Sequence, residues 1–318
     1  MEKINSVFLL GPTAVGKTAV GVRLAFLFGG EIISADSRQV YRGLDIGSGK
    51  DLDEYTLSDG TRVPYHGIDV CDLLHEFSLL DFQELFFKAF SDIRSRKRLP
   101  IVVGGTGMYL DSILRRYDLT PLLETEDVKS WREELSQKNY DELKAILIQE
   151  KKHLHNTSEF GSSERILKAI LLNRFQKTAE FARLKEELSK REKIVPLVLG
   201  TTLSRPVVRE RIKRRLSERL SCGLIEEVEQ LHKNGASWER LESLGLEYRF
   251  VSLFLEGKIS SKDKFFETLS TAIGQFAKRQ ETWFRGMEKK GVKIHWLSQT
   301  ESVEERVKEA EKIIKNLE

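Results

Sequence analysis

The sequence predicts an α/β fold, a parallel sheet flanked by helices and interrupted by a helical insertion. Three observations predict it. Short apolar runs alternate with helix-length amphipathic segments, the pattern of a sheet covered on both faces. The first of these runs ends in Gly-x-x-x-x-Gly-Lys-Thr, Gly11 to Thr18, a phosphate-cradling turn that belongs between a strand and a helix. From about residue 116 to 192 strand-like runs almost vanish and charged helical ones remain.

Residues 6–10, SVFLL, form the first buried strand. A helix follows from Lys17 to Phe28, with Val20, Leu24 and Leu27 on one face and Gly29-Gly30 as its stop. EIISAD, 31–36, is the second strand. Residues 79–98 form a helix carrying Phe82, Leu85, Phe86, Ala89, Phe90 and Ile93. Pro100 then opens a third strand, IVVGG, which runs into Gly104-Gly105-Thr106-Gly107. The insertion contains VKSWREELSQKNYDELKAILIQEKKHL, and IVPLVLG, 194–200, is the fourth strand. A helical return follows 205. Ser302-x-x-Glu305 is a capping box, and Val303, Val307, Ile314 and Leu317 face a final docked helix with no part in the chemistry. The catalytic core is therefore expected over 1–115 plus 193–318, and the helical insertion domain over 116–192.

The 318 residues are 40% hydrophobic and 32% charged, enough apolar content for a globular core. A net charge of +3 does not by itself imply a nucleic-acid partner. The two cysteines, Cys71 and Cys222, lack neighbours at ligand spacing, which excludes a disulfide framework and a zinc site. The six histidines, His153 and His155 among them, read as structural or surface residues. No apolar run reaches the ~20 residues of a membrane span. Met1-Glu2-Lys3 leads straight into a strand, so no signal peptide and a cytoplasmic location are expected.

The phosphate loop runs through Gly11, Pro12, Thr13, Ala14, Val15 and Gly16, and all but Pro12, which has no N–H, can turn backbone N–H groups toward an anion at a helix N-terminus. Lys17 adds a point charge, and Thr18 offers a hydroxyl to Mg²⁺. This makes the sheet P-loop NTPase-like and would suit ATP binding. A kinase or NTPase also wants a carboxylate at a strand end to hold the metal. The runs ending in Gly104 and Gly200 have none. Only EIISAD does, in Asp36, and Ser37, Arg38, Gln39, Tyr41 and Arg42 follow it. Either this is a charged surface loop, or Asp36 is a base and Gln39 an amide reader beside the phosphate loop.

Between Arg205 and Arg219 stand Arg209, Arg211, Lys213, Arg214 and Arg215 against Glu210 and Glu218. Arg211, Arg215 and Arg219 share one helix face. So dense a basic run favours an anionic partner over a merely solvated face. In QFAKRQETWFR, Lys278, Arg279 and Gln280 interleave with Trp283 and Phe284, which suits a single-stranded nucleic acid or, for the aromatics, equally a core.

GPTAVGKT, EIISADSRQVYRGLDIGSGK, VPYHGIDV, FSLLDFQ, LPIVVGGTGMYL, RERIKRRLSERLSCGLIEEV and QFAKRQETWFR occur in that order. Together they resemble the tRNA dimethylallyltransferase family, also called tRNA isopentenyltransferases, over nearly the whole chain. The resemblance implies transfer of a dimethylallyl group from dimethylallyl diphosphate to N6 of the adenosine immediately 3′ of the anticodon. It makes Asp36 the general base and Thr106 a hydrogen-bonding residue at the reaction centre. Lys17, Arg215 and Arg211 then serve the diphosphate, with Mg²⁺ on Thr18. Asp36, Ser37, Arg38, Gln39, Thr106, Arg165, Lys168, Tyr248, Arg249, Lys278, Arg279 and Gln280 would contact tRNA. Around Gly245 only Tyr248 and Arg249 match the family pattern, and Gly47 to Asp51 lacks its usual proline. Prenyl transfer to free adenine nucleotide is the alternative, and a P-loop kinase the more distant one. A monomer is expected.

Overall fold

Four apolar runs become the centre of one sheet because each is covered on both sides. In this computed structural model, which describes residues 3–150 and 160–317, β1 (Ser6–Leu10) is buried at every residue. So are β2 (Glu31–Ser34) and β4 (Pro100–Gly104), while β5 (Pro196–Gly200) is buried from Leu197 onward. Among the described residues the sheet has six strands; with β3 at Tyr65–His66 and β6 at His295–Trp296 the order is β3-β2-β4-β1-β5-β6, all pairs parallel. Val7 stands opposite Ile101 on one side and Leu197 on the other. The edge strands β3 and β6 escape the sequence reading because two residues show no periodicity.

The helices cover the sheet as their apolar spacing dictates. On one face α1 (Lys17–Leu27) and α13 (Val303–Lys315) pack through Val20, Leu24, Val307, Ala310 and Ile314. On the other, α2 (Leu79–Ser95) buries Phe82, Phe86, Phe90 and Ile93, joined by Phe284 of α12 (Lys262–Lys289). Ser78 and Asp81 form a capping box that sets the start of α2. Two expected core residues face water instead: Leu27 at 49% exposure and Leu317 at 40%. Leu27 is the last residue of α1, and Leu317 lies beyond the Asn316 cap of α13. The helix expected to reach 98 ends at Ser95, with Arg96 as its cap.

The chain divides into two compact units, Met1–Tyr117 with Lys193–Glu318, and Asp118–Glu192. Among the described residues of the second unit the named elements are helices: α4 (Glu126–Ser136), α5 (Tyr140–Glu150), α6 (Ser163–Phe175) and α7 (Ala179–Ser189). Its own core joins Leu135, Leu143, Leu147, Ile166, Ile170 and Leu171. The long charged stretch breaks between Ser136 and Tyr140, where Asn139 caps α5 by accepting from the Asp141 and Glu142 N–H groups. His153 and His155 lie outside the described residues. No described helix is long and apolar enough to cross a membrane.

Candidate active site

A parallel sheet gathers its loops at the carboxyl ends of its strands. Here β1 delivers the phosphate loop, β2 delivers Asp36, and β4 delivers Thr106. They border one cavity of about 1190 Å³ in the larger unit, which α8 (Arg205–Ser221) and α12 also wall.

The loop has the alternating backbone of an anion nest. Ala14 and Gly16 are left-handed, φ 63° and 78°, with Val15 between them. Gly11 has no alternative, since a Cβ there would lie 2.2 Å from the Thr201 carbonyl oxygen. Lys17 Nζ folds back to donate to the Pro12 carbonyl at 2.6 Å. Burial lowers the Lys17 pKa to about 8. The nearby Arg215 pushes the same way, while the carboxylates of Asp36 and Glu54 oppose it.

Asp36 opens a tight turn in which its Oδ1 accepts from the Arg38 N–H at 2.9 Å. Thr106 joins that turn from the next strand, its Oγ1 accepting from the Ser37 N–H at 3.0 Å. Since Thr106 accepts there, its own hydroxyl proton stays available to a ligand.

On α8 the apolar residues Val208, Ile212 and Leu216 enter the core. Beside them Arg211, Arg215 and Arg219 line the cavity at successive turns. Arg215 pairs with Asp51 at 2.7 Å, Arg211 with Glu301 at 2.9 Å, and Arg219 with Glu247 at 3.3 Å. Arg205, Arg209 and Lys213 are exposed and do not line the cavity, while Arg214 is exposed at its wall. One helix thus divides its charge between a cavity and open solvent. Apolar groups complete the wall: Tyr55, Val103, Met108, Ile273, Phe276 and Trp283.

The other sequence-predicted residues separate into exposed and spent groups. Lys278, Arg279 and Arg249 are exposed. Trp283 is 40% exposed and lines the cavity, while Phe284 is fully buried in the core. Arg38 packs its guanidinium against the Gly245 backbone. Gln39 is buried, accepting from the Ser34 hydroxyl and donating to the Gly49 carbonyl, so its amide is committed to the fold. Gln280 is committed likewise. Its Oε1 accepts from the Thr13 N–H and its Nε2 donates to the Gly105 carbonyl, both at 2.8 Å, so it straps the phosphate loop to the Thr106 turn. Tyr248 is 1% exposed, with its hydroxyl donating to Glu227 and accepting from the Ser48 N–H. Its environment is core, and it acts on the cavity only through the turn it holds. Arg165 and Lys168 stand exposed on α6 of the helical unit.

Sequence reasoning missed Asp51, Glu54, Met108 and Phe276 as cavity residues, for no local pattern marks them. It also missed Glu227, whose carboxylate accepts from the N–H groups of Asp45, Ile46 and Gly47 and so shapes the turn that carries Asp51. Among the described residues no group of three or more His, Cys, Asp or Glu could hold a metal. Thr18, Asp36, Asp51 and Glu54 nonetheless put hard oxygen donors on the cavity wall, the chemistry that Mg²⁺ accepts when it shares phosphate oxygens.

Comparison with known proteins identifies the family of the chain. The family model for IPP transferase matches residues 39–287, and that for isopentenyl transferase matches residues 4–65. The chain is 50% identical to tRNA dimethylallyltransferase 2 of Treponema denticola, over 93% of this chain and 96% of that one. It is 46% identical to tRNA dimethylallyltransferase 1 of Geotalea uraniireducens, over 98% and 97%. The crystal structure of a tRNA delta(2)-isopentenylpyrophosphate transferase from Staphylococcus epidermidis superposes with a TM-score of 0.66 at 31% identity, covering 99% of each chain.

Proposed function

The chain belongs to the IPP transferase family and is a transferase, and we propose that it moves a dimethylallyl group from dimethylallyl diphosphate to N6 of the adenosine immediately 3′ of the anticodon in tRNA. The observation that carries this reading is the meeting of Asp36, Thr106, the phosphate loop and the α8 arginines around one partly apolar cavity.

The residues divide the chemistry between them. The loop N–H groups, Lys17, Arg211 and Arg215 receive the diphosphate, and the apolar wall receives the five-carbon chain. Adenine N6 is a weak nucleophile because its lone pair is delocalised into the ring. Asp36 orients the amine and takes its proton as the N6–C1 bond forms. The C1–O bond breaks with its electron pair leaving on the diphosphate, and positive groups already in place stabilise that charge. The Thr106 hydroxyl donates to an oxygen at the same centre. Thr18 would hold Mg²⁺, which would supply further charge neutralisation when bound. No water needs activating, so the reaction tolerates strand ends in Gly104 and Gly200 where a kinase would place its metal-binding carboxylate.

The exposed basic side of α8, with Lys278, Arg279 and Arg249, suits a polyanion better than a free nucleotide. Arg165 and Lys168 of the helical unit serve the same substrate. The target base leaves its stack to reach Asp36, at a cost of a few kcal/mol. The protein works as a cytoplasmic monomer in this reading.

The test supplies purified protein with dimethylallyl diphosphate, Mg²⁺, and unmodified tRNA and AMP as competing acceptors. N6-prenylated adenosine in tRNA is expected. Prenylated AMP alone, or ATP hydrolysis without prenyl transfer, would overturn the reading.

A further inference from the structure

Among the described residues the largest fully buried side chain is not apolar. Arg306, on α13, is 0% exposed and sits behind the phosphate loop. Its Nη1 donates to the Val15 carbonyl at 2.6 Å and to the Thr201 hydroxyl at 3.0 Å. Its Nη2 is buried without a hydrogen-bond partner, and so is Nε of the neighbouring Arg211. A Cβ placed on Gly16 would lie 3.4 Å from Arg306 Nη2 and 3.8 Å from Arg211 Nη1. Both guanidiniums therefore flank the loop at its final turn.

Two physical problems follow, and one answer serves both. The first is charge. Among the described residues Arg306 has no carboxylate within ion-pair distance, and Arg211 has only the exposed Glu301. Burial makes this charge costly and Arg211 beside it disfavours it further, while the more distant Glu301 and Glu304 oppose them only in part. The second is strain. Ala14, a residue with a Cβ, is held left-handed at φ 63°, which persists only where the surroundings over-determine it. Val15, between Ala14 and Gly16, is the residue whose carbonyl Arg306 grips.

We propose that Arg306 is a positioning residue for the phosphate loop: it clamps the Val15 carbonyl so that the loop N–H groups face the diphosphate, and its buried charge is offset when that anion arrives. This rests on the reading of the loop as a diphosphate holder. Arg306 does not border the cavity and touches no substrate. The helix that sequence spacing leaves outside the chemistry thus supplies the back wall of the anion site.

The test measures inorganic pyrophosphate binding by calorimetry, alongside KM for dimethylallyl diphosphate and for tRNA, in wild type, Arg306→Lys, Arg306→Met and Thr201→Val. Arg306→Met should weaken pyrophosphate and raise the prenyl-donor KM by about tenfold or more, with KM for tRNA unchanged. Arg306→Lys should recover part of the loss, because it keeps the charge and loses the fork. Thr201→Val removes one acceptor without altering charge or shape, and should give a smaller change in the same direction. It keeps the question answerable if Arg306→Met does not fold. Folded variants that bind pyrophosphate as wild type does, or lose tRNA and pyrophosphate equally, would overturn the proposal. Pyrophosphate binding that depends on Arg306 in a protein unable to prenylate tRNA would overturn the proposed reaction and leave this inference standing.

Discussion

Thr106 and Ser37 belong to neighbouring strand ends, and the Thr106 hydroxyl oxygen accepts from the Ser37 N–H at 3.0 Å. The bond fixes the turn on which Asp36 stands and leaves the threonine one proton to donate. Asp36→Asn should therefore lower kcat by about 10²–10⁴-fold while tRNA affinity stays near wild type. Thr106→Val, which keeps the shape and loses the acceptor, should lower kcat by a smaller factor. Single-turnover prenyl transfer with filter binding separates the two effects, and an undiminished rate in Asp36→Asn would remove it as the base.

Lys17 makes the reaction sensitive to alkali. Its amine is charged below about pH 8 and neutral above it. Bound diphosphate favours the charged form, so affinity for the donor should be full below about pH 8 and fall as pH rises through it. Lys17→Arg should bind independently of pH over the same range. For the anion-free fold the sign is opposite. The unfolded chain holds this proton up to 10.5, so stability should rise with pH between about 8 and 10.5. Calorimetric titration of pyrophosphate from pH 7 to 9.5 reads the first effect directly.

Gln280 holds two loops with one amide. Gln280→Leu would leave the Thr13 N–H and the Gly105 carbonyl without their partner, at a cost of about 1–3 kcal/mol. Chemical denaturation should show that loss, and kcat should fall as the phosphate loop and the Thr106 turn move apart. Gln280→Glu keeps the acceptor for Thr13 but loses the donor to Gly105, and should retain more of the loop's grip on diphosphate than Gln280→Leu does.

The outer side of α8 is predicted to meet phosphates of the substrate. Arg209→Gln with Lys213→Gln should weaken tRNA binding and reduce the slope of log affinity against log salt by about 2. KM for the prenyl donor should not change, because both side chains point away from the cavity. An unaltered slope would place this face in plain solvent.

The sequence alone determined the elements whose chemistry is local. Four buried runs with helices between them left little but a parallel sheet, and Gly11 to Thr18 named its own structure and place. Asp36 was legible for the same reason: a lone carboxylate at a strand end must sit where such a sheet binds ligands. The two edge strands were not legible, since two residues carry no period. Only the tertiary structure decided which polar residues face the cavity and which are consumed in building it. Gln39, Gln280 and Tyr248 read as contacts for RNA, yet their hydrogen-bonding groups are taken up by Gly49, Thr13, Gly105, Glu227 and Ser48. Arg306 lies on the final helix, whose spacing left it without a part in the chemistry, yet it is fully buried and about 290 residues from the carbonyl it holds. The physical reason is common to all four. Which donor meets which acceptor is decided by where separate elements pack, and no spacing along one element records that.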